Sequence, residues 1–242
     1  MARKGIRAVA ELFRRTPLHP QWLLGTSQGL RSLIRDLPPG LVLDVGCASR
    51  WVERILPGGC HYVGLDSQVT GKALYDARPD VYADASRLPL SDGSVDTVML
   101  LEVVEHLPRP GDALAEAARV LKTGGRLILT MPFLYPVHDA PHDYQRYTEH
   151  GLVREIEAAG FRVGEGDVKP GLGSAETAGL VACLALGGIL MQALERRSPA
   201  LLLAPLLVLS VPIINLVCWL LGRLLPDWPA LTAGYQVVAS KP

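Results

Sequence analysis

The sequence predicts an α/β fold, a mostly parallel sheet with helices on both faces. Three observations point to it. Leu41–Val45 is a short apolar run of β-formers set off by the breaker Pro38-Pro39-Gly40. A run apolar on both sides suits a strand buried between two helical layers. Further along, HYVGLD repeats the pattern and again ends on an acid, Asp66. Two more apolar runs, Val95–Leu101 and Arg126–Met131, follow with a helical stretch between them. That alternation builds parallel sheets.

Each element follows from local pattern. Gln21–Leu37 carries Leu23, Leu24, Leu30, Leu33 and Ile34 at roughly helical intervals and is expected to form a helix leading to the breaker. After the first strand, Gly46-Cys47-Ala48 is a small-residue turn. A short helix from Arg50 to Leu56 is expected next, stopped by Pro57-Gly58-Gly59. The Asp66 strand is followed by a polar connection through Tyr75. Val81-Tyr82 suggests a brief third strand, with Asp84-Ala85 at its end. Ser91-Asp92-Gly93-Ser94 is a turn, and Val95–Leu101 is a fourth strand. Leu114–Leu121 is an amphipathic helix closed by Thr123-Gly124-Gly125, before a fifth strand over Arg126–Met131. Thr148 caps a helix with Leu152, Ile156 and Ala159 on one face and Gly160 at its end. Phe161–Val168 is expected as a sixth strand and GYQVVASKP as a seventh.

Composition narrows the classes. The 242 residues suffice for one α/β domain with an elaboration. The 24 basic and 24 acidic residues cancel, so no global field favours nucleic acid. Hydrophobic residues make up 49% and the mean hydropathy is +0.23, an excess that gathers near the C-terminus. Cys47, Cys60, Cys183 and Cys218 show no C-x-x-C spacing and suggest neither a zinc site nor a disulfide framework. The plain reading is a reducing, cytoplasmic environment. The N-terminal MARKGIRAVAELFRRTPLHP lacks a continuous apolar core and a cleavage site, so no signal peptide is expected. Ile6, Val9, Ala10 and Phe13 lie at helical spacing among Arg3, Lys4, Arg7, Arg14 and Arg15. This is either a membrane-surface helix or a solvated one packed on the domain.

The chemistry starts at the first strand. Asp44 precedes a turn in which Gly46 and Ala48 carry almost no side chain, so a cationic or hydroxylated ligand can approach the backbone. Asp66 stands at the distance where an acid after such a turn accepts hydrogen bonds from a ribose. A dinucleotide site requires G-x-G-x-x-G. Gly46-Cys47-Ala48-Ser49-Arg50-Trp51 keeps only the first glycine, which disfavours a nicotinamide-dependent reductase.

The stretch resembles motif I of class I S-adenosylmethionine-dependent methyltransferases, of the type 11 kind. Asp44-Val45-Gly46-Cys47 match the motif, and Ala48 and Arg50 stand where that family carries glycine. The block around Asp84-Ala85, Leu88-Pro89-Leu90, Asp92, Ser94-Val95-Asp96 and Val98 resembles the same family's D-A-x-x-L-P-F-x-D-x-S-F-D-x-V pattern. Glu102-Val103-Val104-Glu105-His106-Leu107 resembles its EVLEHL segment, RVLKTGGRLILTMP its RVLKPGGRLILTVP, and the terminal VVASK its VVAxK. The resemblance covers about 41–167 and 234–241. It implies a Rossmann-like seven-stranded sheet with helices on both faces and S-adenosyl-L-methionine as cofactor. Asp66 would hold the ribose and Asp84 the adenine amino group, with Ala85 letting the ring lie flat. Asp44, Gly46, Cys47, Ala48, Leu101 and Glu102 would complete the cofactor site. His106 either accepts a proton or organises the loop.

PFLYPVHDAPHDYQRYT, from Pro132 to Thr148, is dense in polar and aromatic residues and reads as a substrate-side loop. It resembles a run in bacterial methyltransferases found beside polysaccharide and lipid biosynthesis genes. Tyr135, Asp143, Tyr144, Arg146 and Tyr147 are the substrate-loop candidates. His138 and His142 are the candidate bases, or they only order the loop. H-x-x-x-H on a proline-interrupted loop is poor ligand geometry, and no metal is expected.

Thr177–Leu194 and Ala200–Gly222 are two apolar runs around Glu195-Arg196-Arg197-Ser198-Pro199, the second broken by Pro205, Pro212 and Asn215. Each approaches the roughly 20 residues needed to cross a bilayer core. Trp219 and Trp228 suit an interfacial belt. A spanning hairpin would put Arg196-Arg197 on the far side, against the positive-inside tendency, whereas a re-entrant hairpin would dip into one leaflet. A dimerisation arm or a lid over an apolar channel is the alternative. The expected organisation is a basic helical segment over 1–36, a methyltransferase domain over 37–170 and 232–242, and a membrane-associating helical hairpin over 171–231 before the last strand. The expected function is methyl transfer to a small or lipid-linked acceptor on the cytoplasmic side of a membrane, with membrane lipid and no nucleic acid as partners. The alternative is a non-catalytic membrane-bound module on the same scaffold, suggested by Ala48 and Arg50.

Overall fold

The structure, a computed structural model, describes residues 12–242. They form two compact units. One comprises residues 29–133, 137–171 and 234–242. The other comprises residues up to 28 together with 134–136 and 172–233. The expected amphipathic positions Ile6, Val9 and Ala10 lie outside the described residues; Phe13 is 41% exposed.

The first unit is built on strands β1 (Gly40–Val45), β2 (Cys60–Asp66), β3 (Val81–Tyr82), β4 (Val95–Leu101), β5 (Leu121–Pro132), β6 (Val168–Pro170) and β7 (Gly234–Ser240). They form one sheet of order β3-β2-β1-β4-β5-β7-β6. β1 to β5 are parallel, and β7 runs antiparallel to both β5 and β6. The expected α/β sheet is present. Its strand order reverses between β1 and β4, the place where ligands bind at the carboxyl ends of such sheets.

Alternate residues of each strand enter opposite layers. Leu43, Val45, Leu65, Val98, Leu100, Leu127 and Leu129 share a core with α3 (Pro110–Val120) and α4 (Glu149–Ala158), which follow the short helices α1 (Gly29–Arg35) and α2 (Gly71–Tyr75). Val42, Met99 and Ile128 face the other way, against Ile34, Leu37 and Val52. Both faces are covered, which is why the strands read as continuous apolar runs rather than alternating ones. Pro110 opens α3 at the first helical position, where its missing N–H costs nothing. The Thr148 hydroxyl caps α4, accepting from the Gly151 N–H at 3.3 Å.

Three expectations are corrected. Gln21–Leu37 is not one helix: Trp22–Thr26 is a 3-10 turn separated from α1. Gly25 has weak helix propensity, and the Thr26 hydroxyl bonds back to the Leu23 carbonyl at 2.7 Å, so the helix is not carried through. The helix after the glycine turn shrinks to a single 3-10 turn, Glu53–Ile55, because Arg50 sits at φ +55°. The sixth strand is β6, later and shorter than Phe161–Val168. Only Arg162 bridges to Ser240. A turn follows, in which Gly164 N–H donates to Asp167 Oδ2 at 2.8 Å and Gly166 takes φ +81°.

In the second unit, α5 (Ser174–Glu195) and α6 (Ala204–Leu224) are joined by a 3-10 turn at Pro199–Leu203. They run antiparallel. Glu176 lies against Gly222, and Gly179 lies so close to Cys218 that a Cβ on it would sit 2.7 Å from the Cys218 Cβ. The Cys183 thiol faces the Asn215 Oδ1 at 3.5 Å. Small residues at the crossing let the backbones approach. Asn215 is fully buried, and its Nδ2 donates to the carbonyls of Pro17 and His19 at 2.7 and 3.0 Å. A buried amide so satisfied fixes the Pro17–His19 segment to the helices.

Candidate functional site

The site is assembled where β1, β2, β3 and β4 end. Asp44, 2% exposed, accepts from the Tyr62 hydroxyl at 2.7 Å. Burial pushes the Asp44 carboxyl up to about 6, opposed by the Tyr62 hydrogen bond. Asp66 closes β2, and both its oxygens accept backbone N–H groups: Oδ2 from Ala48 and Oδ1 from Ser67, each at 2.8 Å. The acid therefore holds the Gly46 turn against the end of β2. A carboxylate has about four lone-pair sites, so further acceptor capacity remains for a hydroxyl ligand. Cys47 is buried behind the turn, and burial pushes its thiol up to about 12, which makes it inert.

The turn keeps a glycine-like course where the side chains are not glycine. Gly46, Ala48 and Arg50 have φ of +79°, +40° and +55°. Gly46 is required twice over, because a Cβ there would meet Val103 Cγ2 at 2.4 Å. Arg50 is braced by its guanidinium, which bonds Asp80 at 2.8 Å and Glu53 at 3.0 Å and lies 5.0 Å over the Tyr62 ring. These contacts hold a backbone conformation that an arginine otherwise disfavours.

Asp84 lies two residues beyond β3, is exposed, and its Oδ1 accepts from the Ser86 N–H and hydroxyl at 2.8 Å each. This is an Asx-type turn. Ala85 is buried beside it. Other matched residues in that block are structural. Arg119 ties down the turn through Asp92, Glu116 and the carbonyls of Leu88 and Leu90. Asp96, at the other end of β4, holds the Leu41 N–H and Lys122.

Leu101, the last residue of β4, packs on the Met99 side of the sheet, and Glu102, just past it, is exposed with φ +56°. Its N–H donates to the Thr130 carbonyl and hydroxyl at 3.1 and 3.0 Å. The loop after β5 is stitched to this segment. Tyr144 N–H donates to the Glu105 carbonyl at 2.9 Å, and the Gln145 amide to the carbonyls of Val104 and Leu107. His106 Nδ1 lies 2.7 Å from the His142 carbonyl. A carbonyl only accepts, so Nδ1 carries the hydrogen. Asp143 accepts from the His138 N–H at 2.9 Å and pairs with Arg146, which holds its carboxyl down at about 2.

Of the candidate bases, His138 is brought to the strand ends, its Nδ1 3.2 Å from Asp143 and its Nε2 4.0 Å from Glu105. His142 serves through its carbonyl, while its ring lies against Tyr144. Asp143, Tyr144 and Arg146 belong to the stitched loop. Tyr147 packs on the core, and Tyr135 lies in the other unit, where its hydroxyl accepts from Gln21 at 2.5 Å. One residue was not anticipated in the site, and another was expected there without a role. Tyr62 carries no motif signal. Glu105 stood inside the EVVEHL segment but is distinguished only by its burial: it is fully buried, and neither carboxylate oxygen accepts a hydrogen bond from the described residues.

The profile of the family described as "Methyltransferase domain" matches residues 43–129. A "Probable S-adenosylmethionine-dependent methyltransferase" of Mycolicibacterium smegmatis is 31% identical over 171 residues, covering 66% of this chain and 65% of that one. A 2-methyl-6-phytyl-1,4-hydroquinone methyltransferase of Synechocystis is 38% identical over 103 residues, 38% of this chain and 32% of the relative. The chain spans between 20% and 65% of the length of the curated relatives it matches. Among solved structures, the cyclase SpnF superposes with a TM-score of 0.55 at 18% identity, over 88% of this chain and 80% of its own, which is a likeness of fold.

Proposed function

We propose that this chain, which belongs to the class I S-adenosylmethionine-dependent methyltransferases, transfers a methyl group to a small or lipid-linked acceptor at a membrane surface. The observation that carries the reading is the set of acids at the carboxyl ends of adjacent parallel strands: Asp44 on β1, Asp66 on β2 and Asp84 just past β3. Asp44 and Asp66 flank the Gly46 turn, and Asp84 stands past the end of the strand paired with β2. This donor set fits a cofactor that offers positive charge, ribose hydroxyls and an exocyclic amine. When bound, S-adenosylmethionine supplies a methyl carbon activated by its sulfonium. Asp44 would face the positive charge, Asp66 the ribose and Asp84 the adenine amine. Most of the catalytic work left to the protein is then positioning.

The membrane part rests on the second unit. α5 and the segment Pro199–Leu224 are each long and apolar enough to cross a bilayer. A helix of 22 residues is about 33 Å long, against a hydrocarbon core of about 30 Å. Their outer faces are not buried within the unit: Leu202 is 86% exposed, Leu206 66% and Ile213 63%. α6 continues through Pro212 without a break, which favours a spanning hairpin over a dipping one. The phytyl chain named in the Synechocystis relative's acceptor supports an acceptor with an apolar tail.

Titration calorimetry of the detergent-solubilised chain with S-adenosylmethionine tests the reading. Wild type is expected to bind and Asp66→Ala to lose binding. A silent wild type refutes the assignment. Lipid mass spectrometry of cells with and without the gene, searching for a one-methylene difference, identifies the acceptor.

A further inference from the structure

We infer that Glu105, His106 and His138 form a binding site for a divalent first-row metal ion of the zinc type. One ligand atom from each lies within 4.8 Å of the others. Glu105 Oε1 stands 3.7 Å from His106 Nε2 and 4.0 Å from His138 Nε2. Both carboxylate oxygens of Glu105 are buried without a hydrogen-bond donor among the described residues. Such a group costs several kcal/mol unless a cation or a proton meets it.

The His106 imidazole is set as a ligand rather than as a donor. His106 Nδ1–H is given to the His142 carbonyl, so its Nε2 offers a lone pair toward the Glu105 oxygen. Burial pushes the Glu105 carboxyl up to about 9, so either a proton on it or a cation in its place removes the repulsion between the two facing atoms. His138 Nδ1 stands between two groups, 3.2 Å from Asp143 Oδ2 and 3.4 Å from Arg146 Nη2, which can only donate; Nε2 becomes a ligand when Nδ1 turns its hydrogen to Asp143. A carbonyl or carboxylate behind each ligating imidazole is the usual outer shell of a metal site. The two Glu105 separations, 3.7 and 4.0 Å, and the imidazole–imidazole separation, within 4.8 Å, all exceed the roughly 3.4 Å between tetrahedral ligands at 2.0–2.1 Å, so side-chain rotation has to draw the three atoms together.

Two imidazoles and a carboxylate suit zinc, with cobalt as a spectroscopic substitute. Three protein ligands leave one position for water or for an oxygen of the acceptor. That last consequence rests on the methyl-transfer reading and narrows the acceptor to one bearing a hydroxyl; the ion site itself does not rest on it. The expected pattern excludes H-x-x-x-H: His142 contributes its carbonyl to the outer shell, not its ring.

The test is equilibrium dialysis of the full, tag-free chain in detergent against Zn²⁺, with Co²⁺ followed by visible absorption. Binding of S-adenosylmethionine is measured on the same samples. One ion per chain is expected. Glu105→Gln and His138→Gln should each weaken retention at least about 100-fold, and Asp143→Asn about 10–100-fold. His142→Gln should keep the ion, because its carbonyl remains. Wild type that binds S-adenosylmethionine but no ion overturns the site and leaves the methyl-transfer reading standing. Wild type that binds the ion but no S-adenosylmethionine supports the site and refutes that reading. Equal retention by wild type and both ligand variants also overturns it.

Discussion

Replacing Arg50 by alanine and, separately, by glycine separates two effects that the side chain combines. Arg50 holds φ +55°, a conformation that costs a non-glycine residue about 1–2 kcal/mol. Its guanidinium lies over Tyr62, worth about 0.5–1 kcal/mol, and pairs with Asp80 and Glu53. Those acids are 43% and 47% exposed, so solvent screening reduces both pairs together to roughly 0–1 kcal/mol. Arg50→Ala removes these contacts and keeps the strain, for an expected loss of about 1.5 kcal/mol. Arg50→Gly removes the same contacts and relieves the strain. The extra freedom glycine gives the unfolded chain offsets about 0.4–1 kcal/mol of that relief. Glycine should therefore exceed alanine by about 0.5–1 kcal/mol, whereas at a loop position with negative φ the order reverses. Thermal unfolding in detergent reads both, at about 2–4 °C per kcal/mol for a chain of this size. Alanine is expected about 3–6 °C below wild type and glycine about 2 °C above alanine. Glycine melting at or below alanine refutes the strain argument. The same variants test whether the loop is already shaped for its ligand. Affinity of Arg50→Gly for S-adenosylmethionine within about threefold of wild type is expected, and a gain of tenfold or more, about 1.4 kcal/mol, refutes a preformed turn.

Other outcomes follow from the same geometry. Gly46→Ala combines the φ penalty with a clash against Val103 and should cost about 2–4 kcal/mol; adding Val103→Ala recovers only the steric part, as read by the unfolding midpoint. Asp44 has a carboxyl raised to about 6 in the folded chain from 3.8, so its contribution to stability is present below about pH 4 and is lost as pH rises through 6. Binding of a positively charged cofactor has the opposite sign: affinity should rise through pH 6 as Asp44 ionises. Tyr62→Phe removes the bond that stabilises the ionised form, so the midpoint of the binding profile should move up, and an unmoved midpoint excludes Asp44 as its source. Ser198→Cys, in a chain whose other cysteines are replaced by alanine, should react with a membrane-impermeant maleimide from the side opposite the N-terminus if the hairpin spans; labelling from the same side alone refutes spanning.

The positions of the strands were legible because a doubly covered parallel strand leaves a local mark, an apolar run between breakers. Leu41–Val45 and Val95–Leu101 show it directly. The juxtaposition of Asp44, Gly46 and Asp66 was legible for a related reason: all three sit within one strand and turn and the end of the next strand. Expectations failed where local pattern was silent about hydrogen bonds. Thr26 diverts the helix before α1, and the Gly164–Asp167 turn delays β6. Tyr62 read as an ordinary strand residue, and only the pairing of β1 with β2 places its hydroxyl on Asp44.

By itself the sequence determined the sheet, the acidic strand ends and the apolar hairpin, because each is written in neighbouring residues as periodicity, composition or a short motif. Tertiary structure alone decided how a non-glycine turn keeps its course and that Glu105, His106 and His138 meet. Strands β4 and β5 lie side by side, so the segments leaving them converge, and a carboxylate becomes orphaned only when folding removes its water.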